Sequence, residues 1–351
     1  MTSFAGWQMP LRYASETAEH NAVRRAAGLF DLSHMGEILV TGPGAAAALD
    51  YALTGQLSAV PPGRARYTMI CAPDGGVLDD LVVYRQGERE FLVIANASNT
   101  GVVVAALADR AAGFDALVVD ATQDYALIAV QGPAAAGILG PLTGLDLGGM
   151  KYYAGAFGDV AGQKAWVART GYTGEDGFEV YCHPEDAPQV WDAVASAGAG
   201  ASGGAGLVPA GLAARDTLRL EAGMPLYGNE LGPDKTPFEA GLGRVVKFGK
   251  PGEFVGREAL AARAEAGPQE QLVGLTIESR RIARHGYPVL ADGETCGTVT
   301  SGAPSPTLGV PIAMAYVGVG SLTGDPVLTV GIRGEAVPAH LTDLPFYRRR
   351  Q

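Results

Sequence analysis

Two adjacent carboxylates follow a Gly-Gly turn in the stretch DGGVLDDLVVY, which spans residues 74–84. The apolar, partly β-branched residues around them predict a strand that carries both Asp79 and Asp80. Side chains alternate between the two faces of a strand, so only one of these aspartates can point into a given cavity. There it could orient a reacting amine or stabilise developing positive charge. Both residues could equally be solvated turn residues, and this stretch alone leaves the choice open.

A second candidate is the stretch RTGYTGEDGFEVY at residues 169–181. Its turn is rich in Gly and Asp and joins two strand-like pieces, which predicts a hairpin. Glu179 lies between Phe178 and Val180 and must therefore face away from both of them. A carboxylate on a strand can accept two parallel hydrogen bonds from an aminopyrimidinone ring, the edge that a pterin presents. The alternative is a solvated carboxylate on the outer face of an edge strand.

A third candidate is the stretch AGLAARDTLRLEAG at residues 210–223, which predicts a helix over Leu212–Ala222 that ends at Gly223. Arg215 and Arg219 are one helical turn apart and could bind a carboxylated ligand together. Alternatively, they are surface arginines paired with acidic residues of the same helix.

Short strand-like runs alternate with Ala-rich helical stretches before residue 260, and this order favours an α+β fold over a doubly wound sheet. The strand-like runs are Glu37–Val40, Leu81–Tyr84, Phe91–Ile94 and Trp166–Ala168. The other helical candidates are Ala45–Ala52, Gly101–Ala112 and Pro188–Ala197. The low-complexity run Gly198–Gly206 is typical of a flexible surface loop.

The sequence pattern changes after a polar connecting segment at Ala261–Gln271. Short strand-like runs then follow at close spacing and predict a small C-terminal all-β barrel or sandwich. These runs are Leu272–Glu278, Gly286–Leu290, Thr295–Thr300, Ala313–Gly318 and Val327–Ile332. We therefore expect residues 1–265 to form a core of two interleaved α+β subdomains and residues 270–351 to form a barrel domain.

The composition of the chain excludes several classes of protein. Its 351 residues carry a formal net charge of −11, which argues against a nucleic-acid binder. No apolar run is long enough to span a membrane, and no export signal is visible at the N-terminus. The three cysteines form no CxxC pair and are expected to be reduced thiols in a cytoplasmic protein. The five histidines lack metal-ligand spacing, so we expect no metal site.

Taken together and in order, these stretches resemble the glycine cleavage T-protein family over nearly the whole chain. The matching stretches are FAGWQMPLRY, GLFDLSHMGEI, GGVLDDLVVYR, QGP, RTGYTGEDGFEV, AGLAARDTLRLEAGMPLYGNEL, TPFEAGLG, RIARHGYPV, GTVTSGAPSPTLG and LPFYRR. The resemblance implies a multidomain, cloverleaf-like arrangement around a central folate cavity, with a C-terminal antiparallel β-barrel.

The resemblance also implies an activity, a co-substrate and partners. The family transfers an aminomethyl group from the lipoyl arm of the H-protein to tetrahydrofolate, giving 5,10-methylenetetrahydrofolate, ammonia and the dihydrolipoyl carrier. The lipoylated H-protein would be the direct partner, and the P- and L-proteins would be functional partners. Two alternatives stay open: a folate-dependent demethylase of a small molecule, and a non-catalytic folate-binding protein that assists iron–sulfur assembly.

Carried over position by position, the resemblance assigns roles to residues of this chain. The catalytic aspartate falls on Asp80, the glutamate that binds the pterin on Glu179, and the arginine that contacts the folate tail on Arg215. Residues that match the lining of the folate cavity are Met35, Leu39, Tyr67, Tyr84, Asn96, Tyr152, Tyr153 and Tyr172, with Tyr347 near the cavity mouth. The chain departs from the family pattern at Arg244, where a tryptophan is common, so the pocket lining is expected to differ there.

Overall fold

The computed structural model describes residues 1–199, 206–324 and 326–349. The helices are α1 (Glu16–Arg25), α2 (Ala45–Ala52), α3 (Thr100–Ala111), α4 (Ala135–Leu139), α5 (Ala187–Ala199), α6 (Leu212–Glu221) and α7 (Arg257–Ala266). The strands before residue 210 are β1 (Thr2–Phe4), β2 (Trp7–Met9), β3 (Gly28–Asp31), β4 (Gly36–Thr41), β5 (Arg64–Cys71), β6 (Val77–Gly87), β7 (Glu90–Ala95), β8 (Leu117–Asp120), β9 (Ala126–Gln131), β10 (Gly155–Val160), β11 (Gln163–Ala168), β12 (Gly177–Cys182) and β13 (Val208–Pro209). The later strands are β14 (Glu270–Ile277), β15 (Pro288–Ala291), β16 (Glu294–Pro304), β17 (Pro311–Gly318), β18 (Leu328–Ile332) and β19 (Glu335–Thr342).

Two sheets pack face to face in the first part of the chain. One has the strand order β5-β6-β7-β4-β8 and the other the order β10-β11-β12-β9-β3-β13. Tyr84 and Leu92 of the first sheet share one buried cluster with Trp166 and Tyr181 of the second. The outer face of the first sheet is covered by α2 and α3, and that of the second by α4 and α5. The result is a helix–sheet–sheet–helix sandwich.

Strand alternation decides which side chains enter the space between the sheets. On β6, Leu81 and Val83 belong to the core under the helices, whereas Val82 and Tyr84 face the other sheet. On β12, Phe178 and Val180 belong to the helix-side core and Tyr181 faces the first sheet. Asp80 and Glu179 are therefore carried on the two inner faces, as the sequence predicts from the period of a strand.

The last strands form a closed antiparallel barrel with the order β14-β17-β16-β15-β18-β19. The barrel has its own apolar core and contacts the sandwich through a small cluster in which Leu220 of α6 packs with Ile312 and Met314 of β17. The predicted α+β fold and the predicted C-terminal barrel are thereby confirmed.

Local predictions held except at two places. The predicted strands and helices of the first part all occur, with small shifts at their ends. The prediction of a connecting segment at Ala261–Gln271 is wrong for its first half. The Ala-, Glu- and Arg-rich residues there are helical and continue α7 to Ala266. Strand β19 was not predicted, because Pro338 interrupts its strand-like run. Most of the predicted loop Gly198–Gly206 lies outside the described residues.

Among the helices in the described parts of the chain, none has the length and apolar character needed to cross a membrane.

Candidate active site

A cavity of about 820 Å³ lies where the sandwich, the N-terminal segment and the barrel meet. Asp80 enters it from β6, Glu179 from β12 and Arg215 from α6. Phe4 of the N-terminal hairpin and Arg284 of the barrel domain also line it. The cavity therefore brings together three side chains that are far apart in the sequence, and it is the place where their chemistry can be combined.

Asp80 is held at the cavity wall by two donors. The Tyr67 hydroxyl of β5 donates to Asp80 Oδ2 (2.9 Å), and Asn96 Nδ2, just after β7, donates to Asp80 Oδ1 (2.8 Å). Burial raises the pKa of Asp80, while these hydrogen bonds favour its charged form. The carboxylate is fixed in orientation and poised to take a proton or to face a positive charge.

Asp79 lies on the opposite face of β6 and is fully buried. Its Oδ1 accepts hydrogen bonds from Asn96 Nδ2 (2.8 Å) and Asn99 Nδ2 (2.9 Å), and its Oδ2 accepts one from the Asn96 backbone N–H (3.0 Å). Burial and the adjacent Asp80 raise the pKa of Asp79 to about 7. The alternative that both aspartates are solvated turn residues is wrong.

Glu179 is held by three hydroxyl groups at one of its two oxygens. Glu179 Oε2 accepts from Thr170 Oγ1 (2.6 Å), Tyr84 Oη (3.1 Å) and Tyr181 Oη (3.3 Å). Within the described ranges, no protein donor reaches Oε1. One oxygen is therefore anchored by the protein, and the other is left to accept hydrogen bonds from a ligand in the cavity.

Arg215 and Arg219 have different environments despite lying on the same helix. The Arg215 guanidinium lies over the Tyr172 ring, 4.7 Å from its centroid, and no carboxylate of the described residues is within ion-pair distance. Arg219 is only 1% exposed and is paired with Asp216 (2.8 Å) and Glu230 (3.1 Å). Of these two residues, Arg215 is thus the cation that remains available to an anionic ligand, and the alternative of two surface arginines is wrong.

The other residues predicted to line the cavity fall into two groups. Those that do line it are Met35, Tyr67, Asn96, Tyr153 and Tyr172. Those outside the lining are Leu39, Tyr84, Tyr152 and Tyr347.

The residues outside the lining make other contacts within the protein. Leu39 packs between the sheets beside Met35, and Tyr84 lies behind Glu179 as one of its donors. Tyr152 is 43% exposed and meets Tyr153 edge to face. Tyr347 packs under the Arg24 guanidinium, 4.0 Å from its ring centroid. Tyr84 and Tyr152 therefore contact two residues of the cavity lining, Glu179 and Tyr153 respectively.

His34 was not among the predicted cavity residues, although it precedes Met35 in the stretch GLFDLSHMGEI. It lines the cavity, is 3% exposed, and its Nδ1 has no hydrogen-bond partner among the described residues. Burial, and secondly the nearby Arg215, lower the pKa of His34 to about 3. A neutral imidazole therefore faces the cavity, and only the apolar context of the stretch could have suggested its burial.

Arg244, the predicted departure in the pocket lining, is exposed and lies outside the cavity. The cavity wall in this segment is made by Leu242 instead. Arg244 therefore contributes no side chain to the described lining.

Comparison with known proteins gives matches along nearly the whole chain. The model of the GCVT N-terminal domain matches residues 1–250, and that of the glycine cleavage T-protein C-terminal barrel domain matches residues 270–348. An aminomethyltransferase of Streptomyces avermitilis is 63% identical over 355 aligned residues, which cover 100% of this chain and 94% of the relative. One of Saccharopolyspora erythraea is 62% identical and covers 99% of this chain and 94% of the relative.

A solved structure is similar over the same extent. The crystal structure of glycine cleavage system aminomethyltransferase T from Bartonella henselae matches with a TM-score of 0.91 at 36% identity. The match covers 99% of this chain and 94% of that chain. Sandwich, cavity and barrel are all included in the aligned region.

Proposed function

Because the chain belongs to the glycine cleavage T-protein family, we propose that its cavity is where an aminomethyl group passes from the lipoyl arm of the H-protein to tetrahydrofolate. The chain is an aminomethyltransferase of the glycine cleavage system. The products are 5,10-methylenetetrahydrofolate, ammonia and the dihydrolipoyl carrier. The two hydrogens that leave the folate nitrogens end on ammonia and on the sulfur, so the reaction balances without an oxidant.

The observation that carries the proposal is the convergence of Asp80, Glu179 and Arg215 on one cavity. They come from β6, β12 and α6, so that only the folded chain assembles them. A cavity that offers an anchored carboxylate, an unpaired guanidinium and apolar walls has the features of a site for a flat polar ring with an anionic tail.

The residues present fit tetrahydrofolate in three respects. Glu179 has one oxygen free of protein donors, which suits the N–H groups of a pterin edge. Arg215 has no carboxylate partner in the described chain and suits the carboxylated tail. Met35 and Tyr172 supply apolar walls for the rings. These three contacts are our assignment of the folate-binding residues.

Tetrahydrofolate supplies the two nitrogens that receive the carbon, and Asp80 is our candidate for the catalytic group. A buried carboxylate held by Tyr67 and Asn96 can orient an N–H group, take its proton and stabilise positive charge on the donor carbon. The N-terminal segment and the barrel line further sides of the cavity and so limit the access of water to a reactive carbon.

We further propose three assignments that go with this reaction. The lipoylated H-protein delivers the group, with the P- and L-proteins as functional partners, and the protein works in the cytoplasm, as expected for relatives that come from bacteria. The chain is divided into a core of residues 1–265 and a barrel domain of residues 270–351.

The test is a single turnover with aminomethyl-loaded H-protein and tetrahydrofolate. We expect methylenetetrahydrofolate and ammonia in equal amounts, with no product when the H-protein carries no lipoyl group. Efficient demethylation of a small methylamine or sulfonium compound, without any response to the loaded carrier, would favour a demethylase. Folate binding without turnover of either donor would favour a non-catalytic folate-binding protein.

A further inference from the structure

Asp79 is a buried charged acceptor that lies next to the cavity without lining it. It is 0% exposed and accepts hydrogen bonds from three N–H groups, two of Asn96 and one of Asn99. A carboxylate removed from water remains in a protein only when its oxygens are satisfied, and such bonds to a charged acceptor are strong. Asp79 therefore holds Asn96 firmly by both its backbone and its side chain.

Asn96 in turn connects the two aspartates. Its Nδ2 donates to Asp79 Oδ1 and to Asp80 Oδ1, each at 2.8 Å, so both hydrogens of one amide are used by two adjacent carboxylates. The opposite amide orientation would place its oxygen against two carboxylate oxygens, so the network fixes which way the side chain points. Asn96 Oδ1 is the side-chain atom that remains for a ligand, and Asn96 lines the cavity.

We propose that Asp79 is a positioning residue of the transfer reaction, which acts through Asn96 to fix the Asp80 carboxylate and to present Asn96 Oδ1 to the amine of the donor. This inference rests on the proposed function. A charged oxygen and an amide oxygen side by side suit an amine that carries several N–H bonds. If the bond from Asn96 to Asp79 is lost, Asn96 Oδ1 is no longer fixed, and the Tyr67 hydroxyl is the firm donor that Asp80 keeps.

The pair of carboxyls predicts a characteristic pH dependence. Besides each other, the titratable groups near the two carboxyls are the phenols of Tyr67 on β5, Tyr153 before β10, Tyr172 between β11 and β12, and Tyr227 after α6. Burial raises the pKa of all four phenols, so they stay neutral near pH 7. Because like charges repel, the two carboxyls titrate as a coupled pair and each disfavours ionisation of the other. We expect transfer to fall as the pH drops below about 7, where the pKa of Asp79 lies.

Two variants shift this pH dependence in opposite directions. Asp79→Asn removes the charge next to Asp80, so the midpoint of the pH–rate curve should move to lower pH, and misplacement of Asn96 should lower the maximal single-turnover rate roughly tenfold to a hundredfold. Asn99→Ala removes one N–H donor from the Asp79 carboxylate, so the midpoint of the pH–rate curve of this variant should move to higher pH.

Asp74→Asn is the matched control, because Asp74 is exposed at the turn that precedes β6. In the described chain, Asp74 accepts a hydrogen bond only from the Gly76 N–H.

A second readout is independent of turnover. In folate-free protein labelled with ¹³C at the aspartate carboxyls, the Asp80 signal should titrate at lower pH in Asp79→Asn than in the wild type. Tetrahydrofolate affinity should stay near the wild-type value, because Asp79 does not line the cavity. Thermal melts show whether each variant is folded, and Asn99→Ala carries the test if Asp79→Asn does not fold.

The outcomes separate this inference from the proposed function. If the wild type turns over loaded H-protein while both variants keep the wild-type midpoints, Asp79 has a structural role only and the inference is wrong. If the wild type itself transfers nothing from loaded H-protein, the proposed function fails instead. A defect in folding alone would lower the rates without moving the two midpoints in opposite directions.

Discussion

Glu179 and Arg215 define two ends of the cavity by their chemistry. Glu179 is anchored at Oε2 by Thr170, Tyr84 and Tyr181, which leaves Oε1 for a ring edge. Arg215 has a stacking partner in Tyr172 but no carboxylate in the described ranges. The two residues should therefore contribute separately to binding, one through the pterin ring and the other through the charged tail.

Replacing these residues should weaken folate binding in distinguishable ways. Glu179→Gln should lower the affinity for tetrahydrofolate and for a tail-truncated pterin alike, each roughly tenfold to a hundredfold, because a neutral amide cannot accept the same bonds. Arg215→Ala should lower the affinity for tetrahydrofolate by a similar factor and leave the truncated pterin unaffected. Titration of both variants with both ligands is the measurement, and an equal loss for the two ligands in Arg215→Ala would show that the tail assignment is wrong.

The candidate site was predictable from sequence to the extent that local pattern determines it. The faces of Asp80 and Glu179 follow from strand alternation, and the cavity contains both. The place of Tyr84 behind Glu179 and the bridge from Asn96 to both aspartates depend on how two sheets pack, which no local pattern encodes. His34 was not predicted for the same reason: the apolar residues around it in the sequence suggest burial, but its position in the cavity wall depends on this packing.

At the scale of elements, the inner face of β4 contributes a buried carboxyl to the space between the sheets. Glu37 is 0% exposed, and neither of its oxygens has a hydrogen-bond partner within the described residues. Burial, then Asp120 and Glu179, raise the pKa of Glu37 to about 9. The group is therefore protonated at neutral pH, and a neutral acid beside Glu179 avoids a second negative charge behind the cavity.

Glu37 should make the sandwich less stable as the pH rises. The pKa of Glu37 in the folded protein lies above its ordinary value. The stabilisation of the folded state by protonated Glu37 is therefore fully present below about pH 4.5 and is lost progressively as the pH rises to about 9. Between pH 5 and pH 8, the free energy of unfolding should therefore fall by about 4 kcal/mol. In Glu37→Gln that decline should disappear, as measured by urea unfolding at both pH values.

The matched control is Glu90→Gln, which removes an exposed carboxyl from the neighbouring strand β7. Its unfolding free energy should follow the wild-type pH dependence. If Glu37→Gln keeps the wild-type slope, Glu37 is ionised in the folded protein.

At the scale of the whole molecule, a buried polar cluster joins the barrel to the sandwich. Glu221, at the end of α6, accepts hydrogen bonds from Arg24 of α1 (2.9 Å) and from Thr307 of the barrel domain (2.7 Å) and is paired with His20 of α1 (3.1 Å). Burial opposes its charge, but the hydrogen bonds from His20, Ser305 and Thr307 lower the pKa of Glu221 to about 2. Since the cavity is closed on one side by the barrel domain, this cluster also determines the shape of the site.

Glu221→Gln should loosen the barrel from the sandwich. It leaves the Arg24 charge buried without this partner, which commonly costs about 3–5 kcal/mol of unfolding free energy. Tetrahydrofolate affinity should fall as well, although Glu221 does not line the cavity. Urea unfolding, folate titration and proteolysis at the connection 267–269 are the measurements, and wild-type behaviour in all three would show that the cluster does not hold the domains together.

In the wild type, the stabilisation by Glu221 is present above about pH 4.5 and is lost as the pH falls towards about 2, because its pKa in the folded protein is depressed. Acid should therefore release the barrel only below the pH range in which the transfer reaction is measured.

The fold class and the closed barrel were predictable because binary pattern and strand spacing are local signals. The contact between barrel and sandwich was not, since it depends on single polar residues such as Glu221 and Thr307, which carry no signal of burial in the sequence.

Asp80 is the residue on which the proposed transfer depends most directly. The decisive measurement is the single-turnover rate of transfer from aminomethyl-loaded H-protein to tetrahydrofolate in Asp80→Asn, with Asp74→Asn as the control. Asn keeps the shape of the side chain but removes its charge, so the fold and folate binding should survive while the rate falls on the order of a hundred- to a thousandfold, or roughly 3–4 kcal/mol. A rate near that of the wild type, in a folded variant that binds tetrahydrofolate, would contradict the assignment of Asp80 as the catalytic group.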